Sequence, residues 1–137
     1  MCIKNMQTGA ELCYPALPVS EPRGAGEAFI SPDAQYVAWM EGAGWQMAEV
    51  PTFTATLRVG QNNGAIIADL PMNAFESAAG LGRIGRVDPV AWFDHQTVIV
   101  QARSYDQWDR VALLRYNVIS RETGYLASGE FIGLLYP

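Results

Sequence analysis

The residue types able to do chemistry are few in this chain, and most of them sit in turns. Asp106 and Asp109 stand three positions apart in "RSYDQWDR", with Arg103 and Arg110 on either side. Two close carboxylates divide acid and base roles only when their surroundings split the two pKa values. The flanking arginines point instead to a solvated loop with local ion pairs. The single histidine, His95, follows Asp94 in "FDHQT" with no nucleophile motif beside it, which fits a turn residue better than a general base. Ser31 lies in Ser-Pro-Asp, where its hydroxyl is expected to bond backbone, and no G-x-S-x-G elbow occurs. "GLGRIG" (Gly80, Gly82, Gly85) matches G-x-G-x-x-G, but Pro89 follows and leads into a strand. A dinucleotide site needs the motif after a strand and opening a helix, so this stretch is expected to be a flexible loop and no cofactor is expected. These residues carry no catalytic constellation.

Cys2 and Cys13 are the only cysteines and flank the turn signal Gln7-Thr8-Gly9. A two-residue loop at Gln7-Thr8 sets Cys2 opposite Cys13. A three-residue loop with Gly9 left-handed sets Ile3 opposite Cys13. A bridge therefore hangs on one residue of register, and two free, buried thiols are the simpler expectation. Two cysteines and one histidine match no zinc spacing, so no metal is expected.

The elements that must position these residues are short strands. Half of the 137 residues are hydrophobic and 17% are charged, which suits a packed domain rather than a disordered chain. A net charge of −5 lacks the basic footprint of nucleic-acid binding. No apolar run reaches the length of a membrane span, and Met1-Cys2-Ile3-Lys4 opens no signal peptide. If Met1 is the native start, the expected compartment is the cytoplasm.

The chain also repeats itself. "AFISPDAQYVAWME" from Ala28 and "PVAWFDHQTVIVQA" from Pro89 align at an offset of about 61, each reading strand, Asp-centred turn, strand. Each is followed by a further hairpin, one turning at Asn63-Gly64 and the other at Thr123-Gly124, where glycine suits a positive φ. Each unit is thus expected to hold four antiparallel strands, a to d. In the first they run about Glu27–Ile30, Gln35–Met40, Thr54–Val59 and Ala65–Leu70. In the second they run about Val90–Phe93, Thr97–Ala102, Arg110–Asn117 and Tyr125–Ala127. "CIKNMQTGAELCY" resembles "LRYNVISRETGYL" and reads as strands c and d of a preceding unit, while Glu130–Pro137 reads as strand a of a following one. Asn73–Ala79 suits one or two helical turns, with Asn73 as N-cap, Glu76 at capping-box spacing and the Gly80–Gly85 stretch as terminator.

Ser31-Pro32-Asp33 with Tyr36-Val37-Ala38-Trp39, and Val90-Ala91-Trp92 with the Asp94 turn, resemble the blades of TolB-like and WD-repeat-like β-propellers. The second unit has Trp92-Phe93-Asp94 in place of Ser-Pro-Asp, and the WD signatures are missing, which favours the TolB-like class. The resemblance implies an all-β fold of stacked four-stranded blades: a partial blade over 1–20, blades over 27–70 and 88–129, and the start of another over 130–137. Two and a half blades do not close a propeller. The chain is then a fragment of a longer protein, or copies join into a ring, or the strands form a small β-sandwich instead.

In a blade the b–c and d–a loops emerge on one face. That placement puts Trp45 (first unit) and Trp108 with Tyr105 (second unit) on equivalent loops. Aromatics are enriched at binding surfaces, so these three mark the expected partner-binding face. The competing expectation is that the tryptophans fold back and cap the core. The resulting functional expectation is a non-catalytic interaction module with a protein partner or self-association. The alternatives are the propeller part of a larger enzyme, such as a peptidase-associated domain, and a structural ring.

Overall fold

The structure is a computed structural model, and it describes residues 1–19, 23–44 and 54–135. It is all-β, with every strand pair antiparallel. Strands β1 (Cys2–Lys4) and β2 (Glu11–Cys13) form a small hairpin. Strands β3 (Arg23–Ala25), β4 (Phe29–Ile30), β5 (Tyr36–Ala43), β6 (Thr54–Gln61) and β7 (Ile66–Pro71) form a first sheet. Strands β8 (Ile84–Trp92), β9 (Thr97–Ser104), β10 (Val111–Asn117) and β11 (Thr123–Ser128) form a second, a four-stranded meander in chain order. Among the described residues no sheet closes on itself.

The two stretches expected to hold four strands each fold as separate antiparallel meanders, and strand a differs from expectation. Strand a is longer than its apolar core suggests. In the first sheet it is broken into β3 and β4, both paired to β5, with the Gly26 amide donating to the Met40 carbonyl between them. In the second sheet it is the continuous nine-residue β8, with register shifts near Gly85 and Val90. Ile84 and Gly85 thus belong to a strand and not to a glycine loop. Upstream, a 3-10 turn (Met72–Phe75) runs into the single-turn helix α1 (Glu76–Ala79). Asn73 does not cap it; Pro71 precedes the turn and no side chain bonds the first amides. Gly80, left-handed at φ 63°, ends it as expected.

Alternation along the strands builds two apolar layers. Ala38, Leu57 and Val59 of the first sheet face Val87, Trp92, Val98, Val100 and Leu114 of the second, with Phe75 and Ala79 between them. The Trp92 indole donates to the Phe29 carbonyl at 2.8 Å, and its ring lies 6.2 Å from that of Tyr36, which ties the sheets at strand a. On the opposite face of the first sheet, Val37 and Trp39 meet Tyr14, Ile3 and Leu12 of the hairpin segment.

That second layer contains a charge cluster. Glu41 and Arg58 are 5% and 3% exposed and lie 3.0 Å apart. Arg58 also donates to Asp69 at 2.7 Å and to the Pro15 carbonyl at 2.6 Å. Glu41 accepts from the Leu17 amide and the Trp39 indole. Burial pushes the Glu41 carboxyl up, but the Leu17 amide and Arg58 outweigh it and hold the group below the ordinary range. Among the described residues no buried side-chain polar atom lacks a partner.

The turns reuse one device with different residues. Asn5 accepts from the Gln7 and Thr8 amides and Gly9 closes the turn left-handed; Asn117 accepts from Ile119 and Ser120 and Arg121 takes the left-handed place. Gly124 consequently lies inside β11, paired with Arg115, and not at a positive φ. The hairpin loop holds four residues, Met6–Gly9, and puts Cys2 opposite Cys13, 4.1 Å between Cα atoms. The two form a disulfide, with both residues exposed, so the expectation of free buried thiols is corrected. In the a–b turns, Asp33 accepts from the Ser31 hydroxyl and Asp94 from the Gln96 and Thr97 amides. Those bonds hold both carboxyls below their usual pKa.

Removing one partner of a buried ion pair strands the other. Arg58→Met should cost about 3–5 kcal/mol in urea denaturation, and adding Glu41→Leu should recover much of it. A depressed carboxyl stabilises the fold above its unfolded pKa of about 3.9 and loses that contribution as pH falls through the folded value. Asp94→Asn should therefore melt a few degrees below wild type at pH 7, with the deficit vanishing near pH 2 in a thermal melt series.

Candidate functional site

The loop Tyr105–Arg110 joins β9 to β10 and is pinned at several points. The Ser104 amide donates to the Arg110 carbonyl, the Gln107 amide to the Ser104 hydroxyl, and the Arg110 amide to the Gln107 carbonyl. Ser104 is buried at the strand end, a positioning role that no motif announced. The Tyr105 amide donates to the Arg83 carbonyl at 2.8 Å, which ties this b–c loop to the connection leaving α1. The b–c and d–a segments do meet at one end of the second sheet.

Two arginines seat the aromatics. The Arg83 guanidinium lies 4.0 Å from the centroid of the Tyr105 ring. The Arg103 guanidinium lies 5.3 Å from that of Trp108, donates to the Trp108 carbonyl at 2.6 Å, and pairs with Glu130. Trp108 rests against Gly85, where a Cβ would sit 3.3 Å from the ring and 3.0 Å from the Tyr105 Cα. The last glycine of "GLGRIG" is thus needed for close approach of an aromatic loop. Trp108 stays 54% exposed and Tyr105 43% exposed, and neither joins the apolar core. Trp45 falls in 45–53, outside the described residues.

Beside Trp108 a groove of about 510 Å³ runs between Arg86, Asp88, Gln101 and Phe131. Its charges are internally paired, Arg86 with Asp88 and Arg103 with Glu130. Asp106 and Asp109 are exposed and join no ion pair among the described residues, so the expected pairing with Arg103 and Arg110 does not form. A second groove, about 530 Å³, opens at the far end of the same sheet between Phe93, Ile99, Arg115 and Leu126. Asp94 borders it, but its oxygens are engaged by Gln96 and Thr97. His95 occupies the turn beside it.

Cys2, Glu11 and Cys13 bring three potential ligand atoms within 4.8 Å, yet both sulfurs are committed to the disulfide. Among the described residues no helix is long and apolar enough to cross a membrane. No family model and no curated protein matches the chain.

The seat of Trp108 yields a direct test. Gly85→Ala should displace the indole and shift tryptophan emission, and the shift should be absent when Trp108→Ala is combined with it. Trp108→Ala alone should change stability by less than about 1 kcal/mol, since half of the ring is already in water.

Proposed function

We propose that the two meanders are consecutive blades of a propeller-type scaffold, and that the chain is a non-catalytic module binding a protein partner through Tyr105 and Trp108. The blade reading is supported by the equal strand order of the two sheets and by their face-to-face packing through one apolar layer. The offset near 61 also supports it, because it carries over into strand a: Arg23 pairs with Ala43 as Ile84 pairs with Ser104.

The observation that carries the binding reading is a pair of half-exposed aromatics on a loop already held in place. Such side chains offer contact area without a large ordering cost on association, and tryptophan and tyrosine dominate interface energetics.

A photo-reactive cross-linker at Tyr105 should capture a discrete protein species from cell extract, and the same group at Met6 should not. Trp108→Ala should weaken that capture by roughly 30-fold or more while leaving the melting temperature within a few degrees. An unchanged cross-link in Trp108→Ala, or loss of the fold, would reject this face as the binding surface.

A further inference from the structure

The amino-terminal hairpin has two faces, and the alternation of its strands assigns them. Ile3 and Leu12, opposite one another, are half-buried and pack against the cluster of Tyr14, Val37 and Trp39. Cys2, Lys4, Glu11 and Cys13 belong to the other face and are exposed.

The hairpin is held by more than its disulfide. The Tyr14 amide donates to the Met1 carbonyl and the Asn5 amide to the Ala10 carbonyl. The Asn5 side chain closes the turn, and the Tyr14 hydroxyl ties the strand end to Gln61. The Met1–Tyr14 bond lies one residue beyond the cysteines, so Cys2 and Cys13 form the closer kind of cross-strand pair, the one without mutual backbone bonds. None of these contacts uses a sulfur, so opening the bridge leaves both thiols side by side.

A bridge at the surface is open to attack by a thiolate. A dithiol reductant supplies two electrons and two protons. The Sγ–Sγ bond breaks, each cysteine gains a proton, and the reductant closes to its own disulfide. Glu11 stands two residues from Cys13 on the same face, with a carboxylate oxygen within 4.8 Å of both sulfurs. Its carboxylate joins no ion pair among the described residues.

We propose that the reduced hairpin is a metal site, in which the Cys2 and Cys13 thiolates and the Glu11 carboxylate bind one zinc ion and water takes the fourth position. Tetrahedral zinc holds thiolate at about 2.3 Å and carboxylate at about 2.0–2.2 Å, which spaces the ligand atoms roughly 3.5–3.8 Å apart. Atoms already within 4.8 Å of one another reach that spacing by rotation of exposed side chains, with the backbone in place. Binding releases the two thiol protons to solvent. The three anionic ligands exceed a divalent charge by one, and Lys4, opposite Glu11 on the same face, supplies the balance. A thiolate pair selects zinc over magnesium and calcium, which take oxygen ligands. The disulfide uses both sulfurs and excludes the ion, so occupancy follows the redox state of the hairpin. The site stands apart from the blade reading and from the Trp108 face.

The test uses the whole chain, reduced with a phosphine that is then removed by gel filtration. Cobalt(II) should give a tetrahedral visible spectrum that saturates at one ion per chain and is bleached by zinc, which binds such sites more tightly. The disulfide form should give no such spectrum. Cys2→Ser should abolish it, and Glu11→Gln should weaken binding at least about tenfold at the same stoichiometry. The Glu11 side chain is exposed, so its variant decides the matter even if Cys2→Ser fails to fold. A reduced chain without the tetrahedral spectrum overturns the proposal. So does an equal response from the disulfide form, saturation at one ion per two chains, or an affinity indifferent to Glu11→Gln.

Discussion

Everything in this molecule is organised by one apolar layer shared between two sheets. Neither meander has enough residues to bury both of its faces. Val98, Val100 and Leu114 are dry because Ala38, Leu57 and Val59 cover them, and the reverse holds equally. A lone antiparallel sheet with one wet face is marginal, and stacking is what gives each its core. Trp92 adds direction to this otherwise non-directional contact. Its indole bond to the Phe29 carbonyl, 63 residues away, sets how the two strand-a edges meet.

The stack is not symmetrical. By strand register, Ala38, Met40, Leu57 and Val59 on the covered face of the first sheet correspond to Ile99, Gln101, Leu113 and Arg115 on the free face of the second. Two of four apolar positions have become polar. A surface of this kind resists burial against another sheet like its neighbour, as the outer faces of terminal repeats do. At the other end of the stack, among the described residues, the first sheet meets the two-stranded hairpin and the segment that follows it. There the apolar contact is supplemented by the Glu41–Arg58–Asp69 cluster and the backbone groups of Pro15 and Leu17.

Much of this was legible from residue order. The period-2 alternation through Val37 and Trp39, the Asp-centred turns and the left-handed Gly64 all follow from local steric rules, so most strand positions could be read directly. The buried charges could not. Arg58 finds Glu41 and Asp69 at separations of 17 and 11 residues, across strands, and no local pattern encodes such a meeting. The register that sets Cys2 opposite Cys13 was one of the two the turn allowed, and the four-residue loop keeps it; what residue order did not decide was which of the two registers forms. The turn after β10 was misplaced by three residues for a related reason. Thr-Gly looks like its left-handed corner, yet Asn117 builds it as Asn5 does, and Arg121 accepts the strained place. The place of Tyr105 and Trp108 on the loop after β9 was readable, but the glycine seat and the two arginines beside them needed coordinates.

The Tyr14 ring lies against Gly60, where even a methyl group would come within 2.2 Å of it, and its hydroxyl donates to the Gln61 carbonyl. Position 60 is therefore answerable to position 14. In related chains a side chain at the first should appear only where the second is no longer aromatic. Such a paired replacement would release the amino-terminal arm from the sheet and leave the Trp39 face in need of a different cover.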